Sequence, residues 1–159
     1  MNSTRSASPP PIVAWLGYGG LLPFIFLALA IFVDDQHSQF FRAALTAYGA
    51  VILSFVGALH WGFAMTLSEL NHESNHHRRN ACFTWSVVPT MLAWPALLLS
   101  PMLASLLLIT GFIAHQLQDS RLGARASLPA WYLPLRFRLS LIACLSLAAG
   151  AMAQFRLEP

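Results

Sequence analysis

The chain has 159 residues, of which 57% are apolar and only 9% are charged, and its mean hydropathy is +0.59. Soluble domains carry about 25% charged residues, so this composition excludes a protein whose whole surface faces water. The net charge of +3 comes from nine arginines and no lysine. These arginines lie between apolar runs, where they indicate membrane topology and not a nucleic-acid partner. We therefore expect an all-α integral membrane protein in contact with the lipid bilayer.

The first predicted element is a disordered cytoplasmic tail at residues 1–11, which are polar and rich in proline. An apolar run follows at 12–33. It fits the roughly 20 residues with which a helix crosses a bilayer, and it exceeds the signal-peptide core of about 7–15 residues. We expect a retained transmembrane helix with a kink at Pro23.

Four further apolar runs predict a transmembrane domain of about five helices at 12–155. The second span contains several small residues, which let helix backbones approach closely in lipid, and we expect it at the bundle centre. A turn at Ser100 and Pro101 joins the third and fourth spans into a hairpin. Trp131 and Tyr132, which precede the fifth span, are typical of an interfacial anchor. The predicted spans are 12–33, 43–67, 81–99, 102–118 and 139–155, and residues 156–159 form an external tail.

The distribution of arginines predicts the orientation of the chain. Five spans place the two termini on opposite sides of the membrane. Arginines in short loops are enriched on the cytoplasmic side of membrane proteins. We therefore predict a multi-pass protein of the bacterial inner membrane, with a cytoplasmic N-terminus and a periplasmic C-terminus. The cytoplasmic side would hold Arg5, Arg78, Arg79, Arg121, Arg125, Arg136 and Arg138, against Arg42 and Arg156 outside.

Ionisable residues within the spans predict a polar pocket in the cytoplasmic leaflet. His60 lies inside the second span, where an ionisable group is costly and usually faces the bundle interior. His115 and Asp119 are four residues apart and share a helix face, and a carboxylate fixes the tautomer of an imidazole. The structural alternative is that each group pairs locally without a ligand. The candidate pocket comprises His60, Trp61, His115, Asp119, Trp131, Tyr132 and Arg136.

A second cluster of histidines lies between the second and third spans. The spacing of His72, His76 and His77 resembles one histidine box of the membrane desaturases. Those di-iron enzymes need three such boxes, and this chain has six histidines in all. We expect a solvated loop here, with a divalent-metal site as the alternative. We expect no catalytic residue and no cofactor.

Three segments of the chain resemble one known family. They are GYGGLLP at 17–23, GALHWG at 57–62 and LPAWYLPLR at 128–136. They are similar to the bacterial proteins and mitochondrial relatives called transmembrane protein 69, over about residues 12–155. The resemblance implies a short five-span membrane protein of unknown function and supplies no catalytic residues. The loop at 72–79 lies outside the shared pattern.

Three hypotheses for the function follow. The first is a non-enzymatic structural, assembly or interaction factor with other inner-membrane proteins as partners, because charged groups within the spans are few and soluble-domain motifs are absent. The alternative is a protein that binds a small molecule, quinone, lipid or haem in the candidate pocket. The third is an oligomeric channel or passive carrier.

Overall fold

The computed structural model describes residues 8–70, 76–123 and 128–157, and within these ranges it contains helices and no strand. The all-α fold expected from the composition is confirmed. Most of the predicted N-terminal tail and the last two residues lie outside the described ranges. The helices are α1 (Pro11–Gly19), α2 (Leu22–Val33), α3 (Ser38–Leu70), α4 (His76–Ala96), α5 (Pro101–Gly123) and α6 (Tyr132–Leu157).

Four stretches of the described helices are long and apolar enough to cross a membrane. The helix α4 is not among them, because it begins with the polar residues 76–80 and contains Pro89 and Pro95. The third predicted span is thus less apolar than the others. The four stretches are Pro11–Val33, Ser38–Thr66, Pro101–Gly123 and Tyr132–Ala153.

The direction of the helices shows how often the chain crosses the bundle. Gly49 of α3 lies against Leu108 of α5, and further along both helices His60 approaches Asp119. Because both contacts advance in the same direction, α3 and α5 run parallel. The intervening α4 must therefore return across the bundle. With α1 and α2 counted as one passage, the described helices cross the bundle five times.

The helix α3 lies at the centre of the bundle, as its small residues predicted, because it contacts α2, α4, α5 and α6. Leu53 of α3, Leu108 of α5 and Leu147 of α6 are fully buried and form the middle of the core. The outer helix faces expose large apolar side chains, including Trp15 and Phe26. Such a surface is matched to lipid chains and not to water.

The first membrane passage is broken into two helices, whereas the sequence predicted one kinked helix. Helix α1 ends at Gly19 and α2 begins at Leu22, because Pro23 has no backbone N–H to continue the helical ladder. The hydroxyl of Tyr48 donates a hydrogen bond to the Gly20 carbonyl over 2.8 Å. A main-chain acceptor at the break is thereby satisfied by a neighbouring helix, as a lipid environment requires.

Candidate functional site

Two helices extend beyond the predicted spans and carry candidate site residues. The helix α5 continues to Gly123, and it therefore holds Asp119 in a regular turn. The helix α6 begins at Tyr132, because Pro134 is tolerated in a first turn whose N–H groups have no helical partner. Tyr132 and Arg136 are four residues apart and so share one face of α6.

A buried ion pair joins α5 to α6. The Nε of Arg136 donates a hydrogen bond to Oδ2 of Asp119 over 3.0 Å. The side chain of Asp119 is fully buried, and that of Arg136 is 9% exposed. A buried charge is costly unless it is paired, so each residue requires the other.

Two histidines approach the other oxygen of the same carboxylate. The Nε2 atoms of His60 and His115 lie 3.6 Å and 3.7 Å from Oδ1 of Asp119. The two imidazole rings meet edge to face, with their centroids 4.8 Å apart. The structure therefore brings five of the seven candidate residues into one cluster. His60, His115, Asp119 and Arg136 are buried, and the Tyr132 hydroxyl lies beside Asp119 and Arg136.

Trp85 of α4 completes this cluster, although its sequence context does not distinguish it from the other tryptophans. Its indole Nε1 donates a hydrogen bond to Nδ1 of His115 over 3.2 Å. An Nδ1 atom that accepts a hydrogen bond carries no proton, so the ring is neutral and its proton lies on Nε2, facing Asp119. Trp94 on the same helix is 65% exposed, and sequence spacing alone does not distinguish the two.

Several buried polar atoms of the cluster have no hydrogen-bond partner within the described protein. Leaving such a group unpaired costs about 1–3 kcal/mol, and native proteins usually satisfy it, with ordered water or a bound group where protein atoms do not. The cluster is thus suited to receive polar atoms from outside the chain. The atoms are both ring nitrogens of His60, Nε2 of His115, Oδ1 of Asp119, the Tyr132 hydroxyl and Nη2 of Arg136.

The two tryptophans of the predicted pocket have different positions. Trp61 does not belong to the cluster: it is 50% exposed and its ring packs against Phe83 at 4.9 Å. The reason is helix geometry, because consecutive residues point about 100° apart around an α-helix, and His60 already faces inward. Trp131 is partly buried, and its ring lies 6.2 Å from that of Tyr132.

A cleft of about 510 Å³ lies beside the cluster, and its lining residues come from α1, α2, α3, α5, α6 and the segment before α6. Its walls are almost wholly apolar, and the polar side chains among its described lining residues are Tyr132, Arg136 and Ser140. Leu16 and Phe55 also line it and are 71% and 64% exposed. The mouth of the cleft therefore opens on the side of the bundle, where lipid chains would lie.

The cluster has the composition of a metal site, but its hydrogen bonds oppose that role. One donor atom from each of His60, His115 and Asp119 lies within 4.8 Å of the others, and a zinc ion with donors at about 2.0–2.2 Å would draw them together. However, Trp85 holds the His115 proton on Nε2, the atom that faces the other two donors. The cation of Arg136 also occupies the same carboxylate. These residues fit a hydrogen-bonded group better than a metal ion.

The other cofactor hypotheses fall on different parts of the chain. A haem held axially by His60 and His115 does not fit, because rings in edge contact at 4.8 Å leave no space for a porphyrin between them. His72 lies outside the described residues, as do the side chains of His76 and His77, which begin α4. The metal hypothesis for that loop remains a prediction.

Comparison with known proteins supplies the family. Residues 9–152 match the family described as "Protein of unknown function (DUF3429)". Transmembrane protein 69 of Xenopus tropicalis is 35% identical over 145 residues, which are 90% of this chain and 54% of that protein. Its namesake from Mus musculus is 27% identical over 143 residues, which are 87% of this chain and 54% of that protein.

This chain spans about half the length of these curated relatives. No solved structure matches it. The resemblance indicated by the three sequence segments is confirmed, and so is the membrane character that the apolar helices indicate. The chain belongs to the DUF3429 family of transmembrane proteins, whose function is unknown.

Proposed function

We propose that this protein is a non-enzymatic component of the bacterial inner membrane that binds an amphiphilic molecule taken from the bilayer. The observation that carries the proposal is the cleft of about 510 Å³, apolar along its walls and polar at Tyr132 and Arg136. Small-molecule sites typically have about 300–1,000 Å³, mostly apolar walls and a few polar groups that orient the ligand. The cleft has each of these properties.

The position of the mouth supports a ligand from the membrane. Leu16 and Phe55 line the cleft and are mostly exposed, so a molecule dissolved among lipid chains reaches the cleft without crossing water. On entering the cleft, the hydrocarbon part of this molecule would exchange its contacts with lipid chains for contacts with the apolar side chains of the cleft wall. Its polar head would meet Tyr132 and Arg136, where unpaired buried atoms are present.

The other two hypotheses have weaker support. An interaction factor would use exposed helix faces, such as those bearing Trp15 and Phe40, but lipid chains cover such faces equally well. Leu53, Leu108 and Leu147 are fully buried and fill the middle of the bundle, so an oligomeric channel or passive carrier would need a pathway between copies of the chain, for which the described residues give no specific support. Binding of an amphiphile therefore takes first place.

Filling the cleft with a larger side chain tests the proposal. Ile52 lines the cleft, whereas Ile113 of α5 is 53% exposed and lies outside it. We expect wild-type protein extracted from native membranes in mild detergent to retain an amphiphile that native mass spectrometry and solvent extraction detect. Ile52→Phe should lose most of that molecule, and the matched Ile113→Phe should retain it.

Circular dichroism and size-exclusion chromatography would establish that both variants are folded. Retention of the same molecules by Ile52→Phe and wild type would contradict the proposal. A wild-type preparation that carries detergent alone, even after incubation with an extract of native lipids, would contradict it as well.

A further inference from the structure

The polar end of the cleft offers hydrogen-bond donors. The Tyr132 hydroxyl lies beside Asp119 and Arg136. Neither this hydroxyl nor Nη2 of Arg136 forms a hydrogen bond of full geometry within the described protein, and both residues line the cleft. A guanidinium group only donates hydrogen bonds, and a phenol donates one. A head group that binds here is therefore an acceptor of hydrogen bonds.

The charges around these donors already cancel. Asp119 neutralises Arg136 through the contact of 3.0 Å. His115 is neutral because its Nδ1 accepts the hydrogen bond from Trp85. A protonated His60 would need acceptors at both ring nitrogens, and neither nitrogen has one within hydrogen-bond distance. An anionic head group would thus add an uncompensated buried charge, which is expensive, whereas an uncharged acceptor would not.

Aromatic rings surround the same end of the cleft. The rings of Phe63 and Trp131 lie 5.7 Å and 6.2 Å from that of Tyr132, and all three residues line the cleft. Aromatic side chains favour offset-stacked or edge-to-face contact with another planar ring. The surroundings therefore suit a flat ring better than a flexible glycerol ester.

We propose that the amphiphile bound in the cleft is of the quinone type. Its uncharged ring presents carbonyl oxygens to the Tyr132 hydroxyl and to Nη2 of Arg136, and its apolar tail follows the cleft to the mouth near Leu16 and Phe55. This inference rests on the proposed function, since it names the class of molecule that the cleft takes.

Three probes in one membrane test the head-group class. The full-length protein is placed in phosphatidylcholine nanodiscs with a decyl-substituted benzoquinone, with monoolein or with hexadecyl phosphate. Apparent affinities come from the saturating rise of the melting temperature with probe concentration. We expect the quinone to bind at least about tenfold more tightly than either other probe, the ratio that roughly 1.4 kcal/mol produces.

A pair of matched variants tests the role of the hydroxyl. Tyr132→Phe should weaken quinone binding by about fivefold, the effect of losing one neutral hydrogen bond. Tyr18→Phe is the control, because Tyr18 is 41% exposed and does not line the cleft. It should leave the affinity unchanged.

The outcomes separate this inference from the proposed function. Equal or tighter binding of monoolein or hexadecyl phosphate would overturn the quinone assignment and leave amphiphile binding in place. Quinone affinity that is the same in Tyr132→Phe and Tyr18→Phe would also overturn it. Failure of all three probes to bind would remove the proposed function and the inference together.

Discussion

Asp119 uses its two carboxylate oxygens for different purposes. Oδ2 is held by Arg136 at 3.0 Å, and this contact cancels the charge of both residues. Oδ1 faces the two imidazoles at 3.6 Å and 3.7 Å without a hydrogen bond. The first oxygen therefore holds the ion pair between α5 and α6, and the second faces the imidazoles of α3 and α5.

Removing the charge of Asp119 should destabilise the protein strongly. We expect Asp119→Asn to lower the free energy of unfolding by about 3–5 kcal/mol, because Arg136 remains buried without a counter-ion. Unfolding by sodium dodecyl sulfate in mixed micelles measures this change. The double variant Asp119→Asn/Arg136→Gln should regain part of the loss, since it contains no unpaired charge.

Asp35→Asn is the control for this measurement, because Asp35 is exposed. Exposed substitutions usually change stability by about 0.5 kcal/mol or less. An Asp119→Asn protein as stable as this control would show that the ion pair does not support the fold.

Sequence spacing predicted part of the cluster and missed the rest for a geometric reason. His115 and Asp119 share a helix face at a separation of four, and His60 is conspicuous by its depth in an apolar run. The sequence does not reveal which residue of a neighbouring helix meets them. It therefore included Trp61, which points outward, and omitted Trp85, which donates to His115.

At the scale of the helices, α3 and α4 pack closely at Gly57, because glycine has no side chain to hold them apart. A Cβ atom at this position would lie 2.9 Å from Cγ of Pro89 and 2.9 Å from the Ser86 carbonyl oxygen. Because the Ser86 carbonyl oxygen belongs to the backbone, it can move only slightly to make room for a methyl group. Gly62 lies further along α3, and a Cβ atom there would have nothing within 4 Å.

These two glycines give a matched pair of substitutions. We expect Gly57→Ala to destabilise the protein by about 1–3 kcal/mol, because the added methyl forces α3 and α4 apart. Gly62→Ala should be neutral or stabilising by up to about 1 kcal/mol, since alanine is the better helix former. Thermal unfolding in detergent measures both, and equal effects would contradict this account of the contact.

The positions of the helices were largely predictable, because runs of apolar residues reflect the thickness of the bilayer. The ends of the helices were less predictable from the sequence. Tyr132 begins α6 well before the predicted 139, since Pro134 is acceptable in a first turn although it reads as a loop residue. The break between Gly19 and Leu22 was expected only as a kink, because the sequence does not show that Tyr48 satisfies the exposed carbonyl.

For the molecule as a whole, the five passages place the start of α1 and the end of α6 on opposite faces of the bundle. The cluster lies near the face at which α3 and α5 end and α6 begins. Most of the arginines lie in the chain segments at that face, including Arg121 and Arg138. This bias supports a cytoplasmic location of that face.

Reporter fusions test the orientation. We expect alkaline phosphatase to be active when fused after Ser100 and inactive when fused after residue 125, because only the first site would be periplasmic. Green fluorescent protein at the same two sites should give the reverse pattern, since it fluoresces when folded in the cytoplasm. Active phosphatase after residue 125 would reverse the orientation, and activity at both sites would contradict the number of passages.

The break in the first passage also determines which part of the cleft is easiest to displace. Helix α1 has nine residues and buries none of them, whereas α2 anchors the passage through Phe24, Ala28 and Ile31. Segments with few buried contacts open at the lowest free-energy cost. Helix α1 is therefore the part of the cleft wall that can be displaced at the lowest free-energy cost, and its displacement leaves the buried leucines of the core in place.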